Sequence, residues 1–261
     1  MAPKIDVSGC MAKIERAAQH LETLDEQIRS FLDISTYGVE AYVNKETGWR
    51  EMKVQVYAAP PVRLGVIVGD VVHNLRSALD HLVFELAGGK GSMTQFPIFT
   101  RAADYLEPRK DGTVAREVML KGVLARDRAI IDQYQPYQRA SSPERDPLSI
   151  LNHLSNTDKH RIVPAAFAGL NRLGTIDISA VDPTEVIDRV ETQWLIGPGH
   201  ILEDNTPLFR FRTFPDPSIS VKVNSQLPLA IGFGKTPKRI ATTGTLGQMR
   251  GYVTEIIGRF S

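Results

Sequence analysis

The sequence predicts an α+β fold: a helical core packed against a mainly antiparallel β-sheet in the C-terminal half, with a closing C-terminal helix. Three observations predict it. Apolar residues recur at spacings of three and four over several long stretches, the period of one helical face. Between residues 173 and 234 the pattern changes to short alternating or β-rich runs separated by Gly, Pro, Asp and Asn. Those runs follow one another instead of alternating with helices, which argues against a doubly wound parallel sheet. The expected organisation is one domain over residues 1–261. Its mainly helical part, 11–163, contains a 39–57 hairpin, and its β-rich part, 173–261, ends in the last helix.

Taken in order, residues 11–33 carry Ile14, Ala17, Ala18, Leu21, Leu24, Ile28, Phe31 and Leu32 on a helical period, with charged residues on the outer side. Residues 39–57 switch to a period of two around Asn44-Lys-Glu-Thr-Gly48, a hairpin signature in which Gly48 suits a left-handed position. Met52, Val54 and Val56 mark the apolar face of its second strand. Pro60-Pro61 opens a long helix over 60–87, and Gly88-Gly89 stops it. Phe96-Pro-Ile-Phe99 reads as an aromatic plug that packs. A single helix is expected over 114–133, running into Gln135-Pro-Tyr-Gln138, where proline disfavours continuation. Asp146-Pro147 caps a helix over 147–163. Strand-like runs follow at 175–181, 188–196, 207–214, 218–223 and 227–233, and a last helix at 245–260, which should return to cover a sheet face.

The chain has 261 residues, 42% hydrophobic and 23% charged, with a formal net charge of +1. This balance suits a folded globular chain and gives no global basic field for nucleic acid. The single cysteine, Cys10, leaves no internal disulfide partner. No Lys/Arg-led apolar run and no apolar stretch of about 20 residues is present, so a cytoplasmic protein without a membrane partner is expected.

The chemistry is concentrated on two helices. Over Gly69–Ala87, which opens Gly69-Asp-Val-Val-His-Asn-Leu-Arg-Ser-Ala-Leu-Asp-His81, the arc opposite the apolar face collects Asp70, His73, Asn74, Ser77, Asp80, His81 and Glu85, with Arg76 at its edge. The helix 147–163 presents Asn152, His153, Asp158, Lys159, His160 and Arg161. Three readings follow. Arg76 and His81 form an Arg-x4-His pair suited to cutting RNA without a metal or other cofactor. The imidazole moves the proton, and the guanidinium binds phosphate and its developing charge. Alternatively, His73, His81, His153, Asp158 and His160 hold a divalent metal, although no HExxH, ExxH or HxH pair supports that. In the third reading the His/Asp/Arg clusters hold helices together through a polar network, in a non-enzymatic binding or structural protein.

Gly69–His81, Gln135-Pro-Tyr137 and Asp158-Lys-His-Arg161 together resemble a widespread, uncharacterised group of bacterial and phage-borne proteins over roughly residues 40–260. Arg76-x4-His81 on a helix is similar to the signature of HEPN domains, which are helical, usually dimeric and often metal-independent ribonucleases of toxin and antiviral systems. That resemblance implies Arg76 and His81 as the catalytic pair, RNA as substrate and a homodimer. The sequence departs from the HEPN pattern at Ser77, where those ribonucleases often carry Asn, Asp or His. It departs also in the early position of the motif helix and in the added β segments.

Overall fold

The computed structural model describes residues 5–33, 36–90, 94–139, 141–160, 167–226, 228–233 and 242–261. It has the expected α+β composition, and every strand pairing among the described residues is antiparallel. The chain divides into two compact units. The helical unit takes residues 1–27, 61–165 and 233–261, and the β unit takes 28–60 and 166–232.

The helical unit is built around α2 (Val62–Leu86), 14 of whose 25 residues are buried. So wide a buried surface makes it the unit's core helix and not a surface helix with one apolar stripe. Pro61 precedes it in extended backbone, and Gly88 and Gly89, both at positive φ, end it. Helix α7 (Pro147–His160) and the last helix, here α8 (Thr243–Gly258), pack against α2 and against each other. Thus α8 finds its main partners among helices, where a sheet face was expected. Helix α1 (Ser8–Asp33) contributes buried Cys10, Ile14, Ala17, Leu21 and Leu24 to this unit before its last turns pass into the other. At the start of α7, Asp146 Oδ1 accepts the Leu148 amide at 2.9 Å, the cap that Asp-Pro predicted.

The single helix expected over 114–133 is two, the short α4 (Ala115–Met119) and α5 (Ala125–Gln133). The break falls at Gly122, whose φ of +88° a side chain rarely adopts and whose missing Cβ would meet Ala87 at 3.4 Å. The two pieces are tied by the Arg116 guanidinium of α4 on the Asp132 carboxylate of α5, 2.6 Å at the shortest contact. Short helices α3 (Ala102–Leu106) and α6 (Pro136–Arg139) complete the connection, α6 beginning at the proline that ends α5's run.

The β unit holds strands β1 (Tyr37–Val43), β2 (Arg50–Val56), β3 (Phe167–Leu170), β4 (Thr175–Ala180), β5 (Arg189–Trp194), β6 (Pro207–Phe214), β7 (Val221–Gln226) and β8 (Leu229–Gly232). They form a four-stranded sheet in the order β1-β2-β6-β5 and two ribbons, β3-β8 and β4-β7. The 39–57 hairpin therefore joins the later strands. Met52 and Val54 on β2 and Leu208, Phe209 and Phe211 on β6 make the core, with Ile176, Ile178, Val221 and Val223 of the β4-β7 ribbon against it. Burial alternates along β2 and through most of β6, as one solvated and one packed face require. No helix among the described residues is long and apolar enough to cross a membrane.

Candidate functional site

Arg76 leaves the polar arc and turns inward, with only 6% of its surface exposed. Its Nε donates to Asp80 Oδ2 at 3.2 Å and its Nη2 to Asp80 Oδ1 at 2.9 Å, an i,i+4 pair on α2. The same Nη2 donates to the Phe96 carbonyl at 2.7 Å, and the Phe96 amide donates to Asp80 Oδ1 at 2.9 Å. The pair thus supplies both backbone bonds of Phe96, whose ring is fully buried. Buried backbone outside any helix or strand draws on side chains for its hydrogen bonds, and a charge-assisted pair provides strong ones.

Gln135 does the same for the next residues. Fully buried, it donates from Nε2 to the Pro97 carbonyl at 2.9 Å and accepts the Phe99 amide on Oε1 at 3.1 Å. The Tyr137 amide closes on the Phe99 carbonyl at 3.4 Å. The expected aromatic plug is therefore a strap over 96–99, held by Arg76 and Asp80 at one end and by Gln135 and Tyr137 at the other. Two of the three motifs noted in the sequence meet on it.

The third motif touches α2 elsewhere. Asp158 of α7 lies on Gly69, where a Cβ would stand 2.6 Å from its Oδ1. Glycine allows this close approach between the two helices. His81 points to a different neighbour from Arg76. Its ring lies against Gly9 in the first turn of α1, and its Nε2 stands 3.2 Å from Glu85 Oε1. Its buried Nδ1 has no hydrogen-bond partner among the described residues. Within the chain Arg76 and His81 thus diverge, one toward the strap and one toward α1. His73 is exposed, Ser77 is half-buried, and Asn74 donates from Nδ2 to the Asp70 carbonyl at 2.8 Å.

Asn152 and His153 line a polar cleft of about 200 Å³. Its α7 wall is Ser149, Asn152, His153 and Asn156. The opposite wall comprises Phe99 and Thr100 at the end of the strap, with Asp104 of α3. Ser149 is buried, and its Oγ has no hydrogen-bond partner among the described residues. No α2 side chain lines this cleft, so the two polar helix faces do not share it. The side chains of Lys159 and His160, and all of Arg161, lie outside the described residues. Among the described residues no three His, Cys, Asp or Glu side chains gather as metal ligands. Burial pushes the Cys10 thiol up to about 11, which keeps it protonated and a poor nucleophile at neutral pH.

Sequence reading missed the tasks of Gln135, Phe96, Ser149 and Asn156. One signal was available: residues 149, 152, 153 and 156 are polar at spacings of three and four, a stripe down one face of α7. No protein-family model matches the chain, and neither the curated proteins nor the solved structures contain a detectable relative.

Proposed function

We propose that the chain is a non-enzymatic binding protein in which the Arg76, Asp80 and Asp158 contacts hold helices and strap in place, leaving the α7 cleft to receive a small polar partner. The observation that carries this reading is the commitment of Arg76. Its Nε and Nη2 serve Asp80 and the Phe96 carbonyl, and its remaining Nη1 is buried. A guanidinium that stabilises a phosphodiester transition state must reach the phosphate. This one would first have to abandon a charged pair and uncover a backbone carbonyl, at the cost of leaving buried polar groups unmatched. The strap it holds is one wall of the cleft, so the same contacts that close Arg76 away shape the binding surface.

The competing reading is the HEPN-like ribonuclease, with RNA as substrate and a homodimer bringing two motifs together. One experiment separates the two. Purified protein and its Arg76→Ala and His81→Ala variants are incubated with mixed single-stranded RNA in EDTA, beside thermal melts. The binding reading expects intact RNA with wild-type protein and a clearly lower Tm for Arg76→Ala. RNA cleavage by the wild type, lost in both variants at unchanged Tm, would overturn it in favour of the ribonuclease.

A further inference from the structure

A second buried arginine lies in the β unit, and its surroundings differ from those of Arg76. Arg50 opens β2 in register with Phe211 of β6, on the inward face it shares with Met52 and Val54. Only 7% of its surface is exposed. Its Nη2 donates to the Pro217 carbonyl at 2.8 Å and to the Ile219 carbonyl. Among the described residues its buried Nη1 has no hydrogen-bond partner, and no carboxylate forms an ion pair with the guanidinium. Asp216 is the carboxylate whose field reaches the guanidinium, but it is already engaged by the Ser218 amide and hydroxyl at 2.7 and 2.6 Å. Burial accordingly lowers the Arg50 pKa from its ordinary value, the field of Asp216 opposing. The strand arginines on the solvent face are treated otherwise: Arg212 pairs with Glu191 at 2.7 Å, and Arg210 donates to Gln193 at 2.9 Å and lies over the Trp49 ring.

A guanidinium withdrawn from water without a counter-charge is costly to a fold, and buried charges are ordinarily paired or ligated. Arg50 also forms part of the wall of an open pocket of about 310 Å³ between the hairpin end and the 217–218 turn. Lys45, Asn44 and Ser218 are its other polar lining, and Val43 and Pro217 give it an apolar side. Among the described residues two cations and no carboxylate line it. The volume is at the small end of the ~300–1,000 Å³ range of ligand sites.

We infer that this pocket binds a small organic anion, a phosphate monoester or carboxylate. The charged head lies between Arg50 and Lys45, and the apolar part rests on Val43 and Pro217. The bound anion supplies the ion-pair partner that Arg50 lacks among the described residues, through charge-assisted hydrogen bonds of the kind guanidinium makes best. The site lies in the unit that carries none of the α2 and α7 clusters and stands independently of the reading proposed for them.

Calorimetric titration of the full chain with phenyl phosphate, benzoate and neutral phenol tests it. Saturable binding of phenyl phosphate or benzoate, with phenol weaker by roughly tenfold or more, is the expected result, given what a hydrogen bond to a charged group contributes. Lys45→Glu, at an exposed turn, should keep the fold and weaken the anion by about tenfold, as should Arg50→Met. Arg210→Ala, on the other face of the sheet, should bind as the wild type does. Three results would each overturn the site: no binding of either anion, equal binding of phenol, or anion binding untouched by Lys45→Glu. A loss with Arg210→Ala as large as with Lys45→Glu would do so as well, since it would move the binding to the solvent face.

Discussion

Arg76 in the helical unit and Arg50 in the β unit are withdrawn from solvent almost equally, at 6% and 7% exposure, yet their partners differ in kind. Arg76 has a carboxylate four residues along its own helix and a backbone carbonyl beyond it. Arg50 has two backbone carbonyls and an open pocket. Burial alone therefore says little about what an arginine does. Each guanidinium also has a buried Nη1 with no hydrogen-bond partner among the described residues, so what separates the two is the carboxylate beside Arg76 and the pocket beside Arg50. On that difference rest the two proposals made above, that the residue with the motif holds the fold and that the residue without a motif binds a ligand.

The sharpest way to break this comparison is to remove the partner of Arg76. Asp80→Ala leaves a buried guanidinium unpaired and the Phe96 amide without its acceptor. It should cost about 3 kcal/mol, the low end for a broken buried pair because the Asp80 side chain is one-third exposed. Arg50→Met removes a charge with no ion-pair partner among the described residues and should cost only about 1 kcal/mol, because relief of the unpaired guanidinium's desolvation offsets most of the two carbonyl bonds lost. Urea denaturation of both variants decides between them, and equal losses would erase the distinction.

A smaller effect tests the α2–α7 approach. Gly69→Ala gains helix propensity of about 1 kcal/mol but drives a methyl group into the Asp158 carboxylate, for which overpacking of ~1–3 kcal/mol is the measure. The net effect should be destabilising in the wild type and stabilising in an Asp158→Ala background. If the sign stays the same in both backgrounds, Gly69 is not where the helices are pinned.

The smallest effect concerns the cap of α7. Burial raises the Asp146 pKa above 3.8, against the opposing bonds from Leu148 and Ser149 and the charge of Arg139. The folded state therefore holds this proton more tightly than the unfolded state. The resulting stabilisation is complete below the ordinary aspartate value and is lost as pH rises through the raised one. Asp146→Asn keeps a capping oxygen and should flatten that decline in urea midpoints measured across the acidic range. Parallel curves for the two proteins would remove Asp146 from the account.

Much of the fold was legible because it rests on local signals. The period of α2, the Asp146-Pro147 cap, the Gly88-Gly89 stop and the Gly48 turn are each written within a few residues. The break at Gly122 was also written, as a glycine inside a helical pattern, and its positive φ is the conformation that glycine permits. The pairing of β2 with β6 depends on residues far apart in sequence, which no local pattern reveals. The candidate site was half legible. The polar arc picked out Asp80, His81, Asn152 and His153, but Arg76 sat at its edge, and only the strap determined which way it turned. Arg50 shares its parity with Met52 and Val54, so the alternation already placed a charge on the packed face of a strand.

The helical unit is assembled from three stretches of chain, with both stretches of the β unit translated between its first residues and its last helix. Helix α2 leaves the ribosome long before α8, one of the helices that cover it. Throughout the synthesis of the intervening strands, the apolar surface reserved for Leu246, Met249, Val253 and Ile256 has no occupant. The helical unit is thus completed only once the chain has been made through α8. Until then the nascent chain carries the kind of bare helical surface that chaperones hold and that neighbouring nascent chains can stick to.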